Sequence, residues 1–131
     1  MKRITVKLSA LLLVSLLLMR MDAAFAELAS VNALPGNHVY AGATLSGNTL
    51  TCRGEVILLQ GCKANITVYL QQKNDSGQWK VVTSRCQENV EEVSFNYNVS
   101  SGTYRVKAFV IIYNNGKRVD SATAYSPIVT R

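Results

Sequence analysis

The stretch from Ser101 to Val119 constrains the fold of this chain more than any other part of the sequence. Its middle alternates between apolar and polar residues, which predicts a strand with one buried face. The apolar positions that share this face are Tyr104, Val106, Ala108, Val110 and Ile112. The pair Asn115-Gly116 follows, and because both residues readily take positive φ, the pair favours a type I′ turn. The sequence therefore predicts a β-hairpin here.

The hairpin also implies a register for its two strands. If the residues that flank the turn are paired directly, Ile112 lies across from Val119 and Val106 lies across from Tyr125. In this register both strands turn apolar residues to the same side, which is what a buried face requires. Val119 and Tyr125 are therefore predicted to point into the core.

Residues 1–26 have the features of a cleaved signal peptide. Basic residues precede an apolar run from Leu8 to Met19, and Ala24-Phe25-Ala26 has the small-x-small pattern of a cleavage site. The apolar run has about twelve residues, fewer than the roughly 20 that a membrane-spanning helix needs. We therefore expect a secreted, extracellular protein without a transmembrane anchor after cleavage, and a single-pass anchor is the alternative.

The remainder of the chain has the size of one domain. Four of the 14 basic residues and one of the eight acidic residues lie in 1–26, so ten bases and seven acids remain, a formal net charge of +3 in place of +6. The bases are scattered and form no stripe, so nucleic-acid binding is not expected. Residues 27–37 show no periodicity and are predicted to be an irregular lead-in, followed by a β-sandwich domain at 38–131.

About seven short strands are predicted in the domain, with no helix. Their spacing of some 8–12 residues is typical of a two-sheet sandwich. The second hairpin of this set closes on the polar loop 73–77, after which Trp79 and Val81 are predicted to face inward. Tyr104 follows Gly102 at the start of the sixth strand, as in the tyrosine corner of immunoglobulin-type domains. The predicted fold class is all-β, an immunoglobulin-like antiparallel β-sandwich.

Three segments of the chain also resemble a known group of proteins. They are Ile66–Lys73, Ser76–Trp79 with Val81-Val82, and Ser101–Lys107. Over roughly 65–125 the chain is similar to small exported immunoglobulin-like sandwich proteins of Gram-positive bacteria, a domain family of unknown function. The resemblance implies the fold and an exported protein. It implies no catalytic or ligand-binding residue.

The sequence offers little for catalysis. Its single histidine, His38, lies next to the lead-in, and a catalytic triad or a Cys-His pair would have to use it. One histidine and three separated cysteines do not have the ligand spacing of a zinc site. Glu88, Glu91 and Glu92 cluster in a connecting segment, where solvated side chains are the expected reading. We therefore expect neither an enzyme nor a cofactor.

The three cysteines, Cys52, Cys62 and Cys86, are expected to meet an oxidising compartment. If Leu70 faces Val81 across the second hairpin, Cys86 comes near the entry of the strand that follows Cys62. A Cys62–Cys86 disulfide is the favoured pairing, and by the chain-entropy model closing such a loop is worth about 3 kcal/mol. Cys52 would then be a buried thiol. A Cys52–Cys62 disulfide is the alternative.

The predicted outer face of the sixth strand is the main functional lead. Beyond the bases at its start, this face becomes apolar, and neighbouring strands contribute to it. The candidate contact patch consists of Tyr69, Val82, Phe109, Ile111 and Tyr113. An exposed apolar patch of several hundred Å² usually marks an interaction site. The alternative is that the lead-in, the last strand or long lysine side chains cover it.

These features favour a non-catalytic exported β-sandwich that acts through surface contact, in adhesion or in cell-wall or protein binding. The expected partner is an unknown protein or a cell-wall component, and weak self-association through the patch is a further expectation. The alternative function is a secreted effector, such as an antibacterial protein or an enzyme inhibitor. A fibre subunit completed by a partner strand is a third possibility.

Overall fold

The computed structural model of this protein describes residues 25–32, for which only the backbone is considered, and residues 37–131. Residues 1–24, which hold most of the expected signal peptide, lie outside the described residues. Nine strands are described: β1 (Phe25–Asn32), β2 (His38–Ser46), β3 (Thr49–Ile57), β4 (Cys62–Lys73), β5 (Trp79–Gln87), β6 (Glu92–Asn98), β7 (Thr103–Asn114), β8 (Lys117–Tyr125) and β9 (Val129–Thr130).

The strands form two antiparallel sheets that pack as a β-sandwich. One sheet has four strands in the order β1-β2-β3-β6. The other has five, in the order β5-β4-β7-β8, with β9 pairing to the start of β7. Strands β2, β3 and β6 thus take the A, B and E places of an immunoglobulin-type sandwich, and β4, β7 and β8 take the C, F and G places. The predicted fold class is confirmed.

The core lies between the sheets and follows the predicted period-two alternation. On β7 all five apolar positions predicted to face inward are buried. Gly54 of β3 lies where the sheets come closest, since a Cβ added there would be 2.6 Å from Val68 Cγ2 and 3.1 Å from Ala108 Cβ. The largest fully buried side chains come from both sheets: Leu50, Ile66, Leu70, Ile112, Val39 and Val56.

The tyrosine corner is present. The Tyr104 hydroxyl donates a hydrogen bond of 2.9 Å to the Ser100 carbonyl oxygen, and the Tyr104 side chain is only 2% exposed. This bond ties the start of β7 to the turn that precedes it, as in immunoglobulin-type sandwiches.

The expected irregular lead-in at 27–37 is wrong in part. Residues Phe25–Asn32 form β1, which pairs antiparallel with β2 from Phe25↔Thr44 to Asn32↔His38. The register shifts between Ala26 and Ala29, at the expected cleavage site. With β1 and the short β9, the sandwich has nine described strands, more than the seven predicted.

The Asn-Gly turn is confirmed, but the register of its hairpin is not. Asn115 and Gly116 have φ of 51° and 77°, as a type I′ turn requires. A β-bulge between Ile112 and Tyr113 then shifts the pairing, so that Ile112 lies across from Asp120. Because one extra residue turns the following side chains to the opposite face, Val119 is exposed, and Tyr125 points outward across from Lys107.

The second hairpin differs from its predicted register from its loop onward. The 74–78 loop places Trp79 across from Lys73 and Val81 across from Gln71, and a bulge at Val82 then shifts the pairing once more, so that Thr83 lies across from Leu70. Gln71 and Lys73 alternate with the buried Leu70, so Trp79 and Val81 lie on the outer side of the sheet, and the prediction that they face inward is wrong. Val81 is 56% exposed.

No disulfide is formed, and the predicted Cys62–Cys86 pairing is wrong for this structure. Cys62 lies across from Asn114, whereas Cys86 lies across from Thr67, five residues further along β4. That separation is about 17 Å along a strand, far beyond the reach of a disulfide. Cys52 is a fully buried free thiol, so the alternative Cys52–Cys62 bond is not formed either.

Candidate functional site

The outer face of the five-stranded sheet, called the contact face below, brings most of the predicted patch together. Strands β4 and β7 pair along their length, with Thr67 across from Phe109 and Tyr69 across from Lys107. Phe109, Ile111 and Tyr113 follow one another on the outer side of β7, and we call them the apolar strip. Each of these side chains and Tyr69 is half-buried. The strip is therefore a continuous surface that water and a partner can reach.

Val82 is the one predicted patch residue that the structure places elsewhere. It lies at the bulge of β5 and packs against the hydrophobic core. The neighbouring residue Val81 takes the outward position. The assignment of Val82 to the contact face is corrected, because the loop register gives the outward position to Val81 and leaves Val82 as the extra residue of the bulge.

Next to the apolar strip the contact face carries a stack of aromatic and basic side chains. The Arg105 guanidinium carbon lies 4.3 Å from the ring centroid of Trp79 and 4.3 Å from that of Tyr125. Lys73 Nζ lies 5.9 Å from the Trp79 centroid. Such contacts are favourable because the negative face of an aromatic ring attracts a cation. We call Lys73, Trp79, Arg105 and Tyr125 the cation–aromatic ladder.

A hydrogen bond to Gln71 fixes the Arg105 side chain of the cation–aromatic ladder. Arg105 Nε donates a hydrogen bond of 2.7 Å to Gln71 Oε1, and Gln71 is only 8% exposed although it lies on the outer side of β4. Beside the ladder, Lys107 Nζ lies 5.4 Å from the Tyr69 ring centroid. Two aromatic rings and one amide thus fix the position of the Arg105 guanidinium. They also fix the direction in which its two terminal nitrogens point.

The electrostatics of the contact face are one-sided. The outward positions of β4, β5, β7 and β8, as the register defines them, carry five basic residues and no Asp or Glu: Lys63, Lys73, Arg105, Lys107 and Arg118. In contrast, Arg53 on the four-stranded sheet is paired with Glu55 at 2.7 Å and with Glu92 at 2.9 Å. The positive charge of the contact face is therefore uncompensated on that face.

An open cleft of about 460 Å³ lies at the turn end of the contact face. Tyr113 forms one side, and the other lining side chains are polar: Lys63, Asn65, Glu88, Asn89 and Asn115. Asn65 Oδ1 accepts a hydrogen bond of 3.2 Å from the Asn89 backbone N–H, which holds the 88–91 loop against β4. The volume falls in the range of small-molecule sites, and the lining can donate and accept hydrogen bonds around one aromatic ring.

Outside the contact face, the described residues that a catalytic or metal site could use lie apart from one another. His38 stacks on Tyr40, with ring centroids 6.4 Å apart, on the four-stranded sheet. Burial raises the pKa of the Cys52 thiol from its ordinary value of 9.0 to about 12, so this cysteine is held in its unreactive protonated form. Within the described residues, no three His, Cys, Asp or Glu side chains are grouped closely enough to bind a metal. In that same part of the chain, no helix is long and apolar enough to cross a membrane.

Sequence reasoning missed the aromatic half of the ladder. Trp79 and Tyr125 were predicted to face the core, but the register of the 74–78 loop turns Trp79 outward and the bulge at Val119 turns Tyr125 outward. The signal that was available is chemical: Arg105 and Lys107 stand on a strand whose inner face is already complete, so aromatic residues on adjacent strands are natural partners for them.

Comparison with family models, with curated proteins and with solved structures found no match to this chain. The resemblance to small exported sandwich proteins therefore stays a prediction. The function has to be argued from the geometry of the contact face.

Proposed function

We propose that this protein is an exported, non-catalytic β-sandwich that acts through surface contact, and that the contact face is the binding surface. The observation that carries the proposal is the combination of a half-buried apolar strip with bases that have no acidic partner on the same face. Exposed aromatic and arginine side chains are the residue types most enriched at binding hot spots.

The fold also supports a role in binding rather than in reaction. The described residues bring no nucleophile, base and acid together, whereas the contact face spans four strands of a rigid sheet. Residues on a well-packed sheet keep their relative positions, which favours recognition of an extended partner. A cell-wall component or a protein remains the expected partner.

The proposal is tested with the double variant Phe109→Ser, Ile111→Thr. Both side chains lie on the apolar strip and neither belongs to the buried core, so the circular dichroism spectrum and the cooperative melt should be kept. The purified protein and the variant are each mixed with isolated cell walls and with proteins of the culture medium, and the retained fraction is measured. We expect retention of the natural protein and its loss in the variant.

The matched control is Thr51→Ala on the outer face of the four-stranded sheet, which should bind like the natural protein. Equal binding by all three proteins would show that the contact face is not the binding surface. Killing of neighbouring bacteria without retention on walls or proteins would instead support the secreted-effector alternative.

A further inference from the structure

Resting on the proposed function, we infer that the contact face binds an anionic polysaccharide whose charge is carried by carboxylate groups. The polymer would lie along β7, with its carboxylates at Arg105 and Lys107 and its sugar rings over the apolar strip and in the cleft. Three features of the contact face lead to this partner: the fixed guanidinium, the spacing of uncompensated bases, and the polar cleft that continues the same surface.

The first feature is the geometry of Arg105. Its guanidinium carbon lies 4.3 Å from the ring centroids of Trp79 and of Tyr125, which come from strands on either side of β7, and its Nε donates to Gln71. The two terminal nitrogens make no hydrogen bond to a described side chain, so their N–H groups are free to donate in the plane of the group. A planar fork of donors matches the two oxygens of a carboxylate. Because the stack already fixes the side chain, little conformational entropy is lost when it binds.

The second feature is the row of bases. Lys107 follows Arg105 on the same side of β7, which places the two about 6.8 Å apart along the strand. Lys73 and Lys63 extend the positive surface on β4 in opposite directions along that strand. A single small anion would meet only one of these groups. A polymer with repeated negative charges can meet several at once, which favours an extended polyanion.

The third feature identifies the polymer as a polysaccharide. The rings of Phe109 and Tyr113 make no cation contact, so they are open to the polarised C–H groups of sugar rings. In the cleft, the side-chain amides of Asn65, Asn89 and Asn115 offer donors and acceptors that suit hydroxyl groups. Glu88 and Lys63 also line the cleft, so it suits the uncharged part of the polymer and not its carboxylates. The path from Tyr113 to Arg105 is about 27 Å along the strand, long enough for several sugar residues.

At the cation–aromatic ladder a single-stranded nucleic acid fits less well than a carboxylate polymer, while the open rings of Phe109 and Tyr113 suit either polymer. Nucleic-acid binding relies on bases that stack on free aromatic faces. In the ladder, Arg105 lies between the Trp79 and Tyr125 rings, and Lys73 lies over Trp79 as well. Base stacking at these rings would have to displace a cation, whereas a carboxylate binds the edge of the guanidinium and leaves the stack intact.

The test is affinity gel electrophoresis of the full chain through gels that contain one polymer each. The polymers are polygalacturonate, neutral dextran and single-stranded DNA. We expect strong retardation by polygalacturonate, weakened as salt screens the charges, and little retardation by the other two. Equal retardation by dextran, or DNA binding as strong as that of polygalacturonate, would overturn the inference, because carboxylate recognition would then add nothing.

Two variants locate the site. Arg105→Gln and Lys107→Gln should each weaken polygalacturonate binding, Arg105→Gln by about tenfold or more, because a charge-assisted hydrogen bond is lost. Lys80→Gln removes the same charge from a residue that alternates with Trp79 and Val81 and so does not share their outward position. It should leave binding within about twofold of the natural protein. If Arg105→Gln unfolds at a lower temperature than the natural protein, the binding of Lys107→Gln still tests whether the site is on the contact face.

The outcomes separate this inference from the proposed function. If no polysaccharide retards the protein but the apolar-strip variant loses a protein or cell-wall partner, only the polysaccharide inference fails. If Lys80→Gln weakens binding as much as Lys107→Gln does, the site is not on the contact face and both fail.

Discussion

The outer faces of the two sheets are both antiparallel strand surfaces, and they differ most in how their charges are paired. On the four-stranded sheet, Thr51 Oγ1 donates a hydrogen bond of 2.8 Å to Asn96 Oδ1, and Arg53 is enclosed by two glutamates. His38 and Tyr40 stack there as well, but the charges of that face satisfy one another. On the contact face, Arg105 and Lys107 lie against aromatic rings and have no acid near them on that face.

This difference concerns the outward-facing residues, which the fold constrains less than the inward-facing ones. Both faces stand above the same core, and the core is supplied by the inward positions alone. Either outward set would allow the strands to form, because strands require only one buried face. This supports the proposal that the aromatic and basic residues of the contact face bind a partner outside the sandwich.

The largest expected effect is a loss of stability at high pH, and it comes from the buried thiol of Cys52 on the four-stranded sheet. Cys86 of the five-stranded sheet points outward and is not expected to contribute. Below pH 9 the Cys52 thiol is protonated in both folded and unfolded chains. Between pH 9 and about 12 only the unfolded thiol loses its proton, so the unfolded state is favoured and stability falls. By pH 11 the loss from this group should reach about 3 kcal/mol.

Urea titrations at pH 8 to 11 measure this loss. Cys52→Ala is the matched variant, because it removes the buried thiol and leaves every other ionisable group of the protein in place. The difference between the two pH slopes isolates the thiol. Parallel slopes would contradict a buried Cys52 and would place this thiol on a surface instead.

The second prediction tests the close approach of the two sheets, on which the separation of the two outer faces depends. Gly54→Ala adds a methyl group 2.6 Å from Val68 Cγ2, so the sheets have to move apart. Overpacking of this kind should cost about 1–3 kcal/mol in the free energy of unfolding, measured by urea titration. Combining Gly54→Ala with Val68→Ala removes the clashing methyl, and the double variant should lose less than the sum of the two single changes.

The part of the fold that follows from period-two alternation could be predicted from the sequence. The five inward positions of β7, the buried Cys52, the Asn-Gly turn and the tyrosine corner all follow from residue type and spacing, and all are found. The same alternation placed Tyr69 and the apolar strip on one outer face. These features depend on local sequence and on one sheet partner, which a single chain reveals.

The rest depends on bulges and on pairing between distant segments. The extra residue at Val119 reversed the face of Tyr125, and the register set by the 74–78 loop reversed the faces of Trp79 and Val81; nothing in the local residue types marks either change. The disulfide prediction failed because the loop register and the bulge at Val82 together place Cys86 across from Thr67 rather than near Asn65. Strand β1 was missed because Phe25–Asn32 shows no period-two alternation. It forms a strand by pairing with β2, which its own residue pattern does not reveal.

The third prediction compares one arginine from each face. Arg105→Ala removes two cation–aromatic contacts and the hydrogen bond to Gln71, which should cost about 1–2 kcal/mol. Arg53→Ala removes two partly exposed ion pairs, and these are worth about 0–1 kcal/mol. Thermal and urea unfolding of both variants measure the difference. A larger loss for Arg53→Ala would mean that the paired charges, rather than the ladder, stabilise the outer surfaces.

The smallest expected effect comes from a pair of threonines that occupy equivalent outward positions. Thr51 lies on the four-stranded sheet and Thr67 on the contact face across from Phe109, and both are half-buried. Changing either to Ala should cost about 0.2–1 kcal/mol, because only cross-strand contacts are lost. Binding should separate them: Thr67→Ala leaves a gap between Phe109 and β5 and should weaken retention on the partner, whereas Thr51→Ala should not. The two variants are expected to lose similar stability, so weaker binding by Thr67→Ala alone would be caused by the change to the contact face and not by a less stable fold. Equal binding by both variants would place the partner's contacts away from the apolar strip.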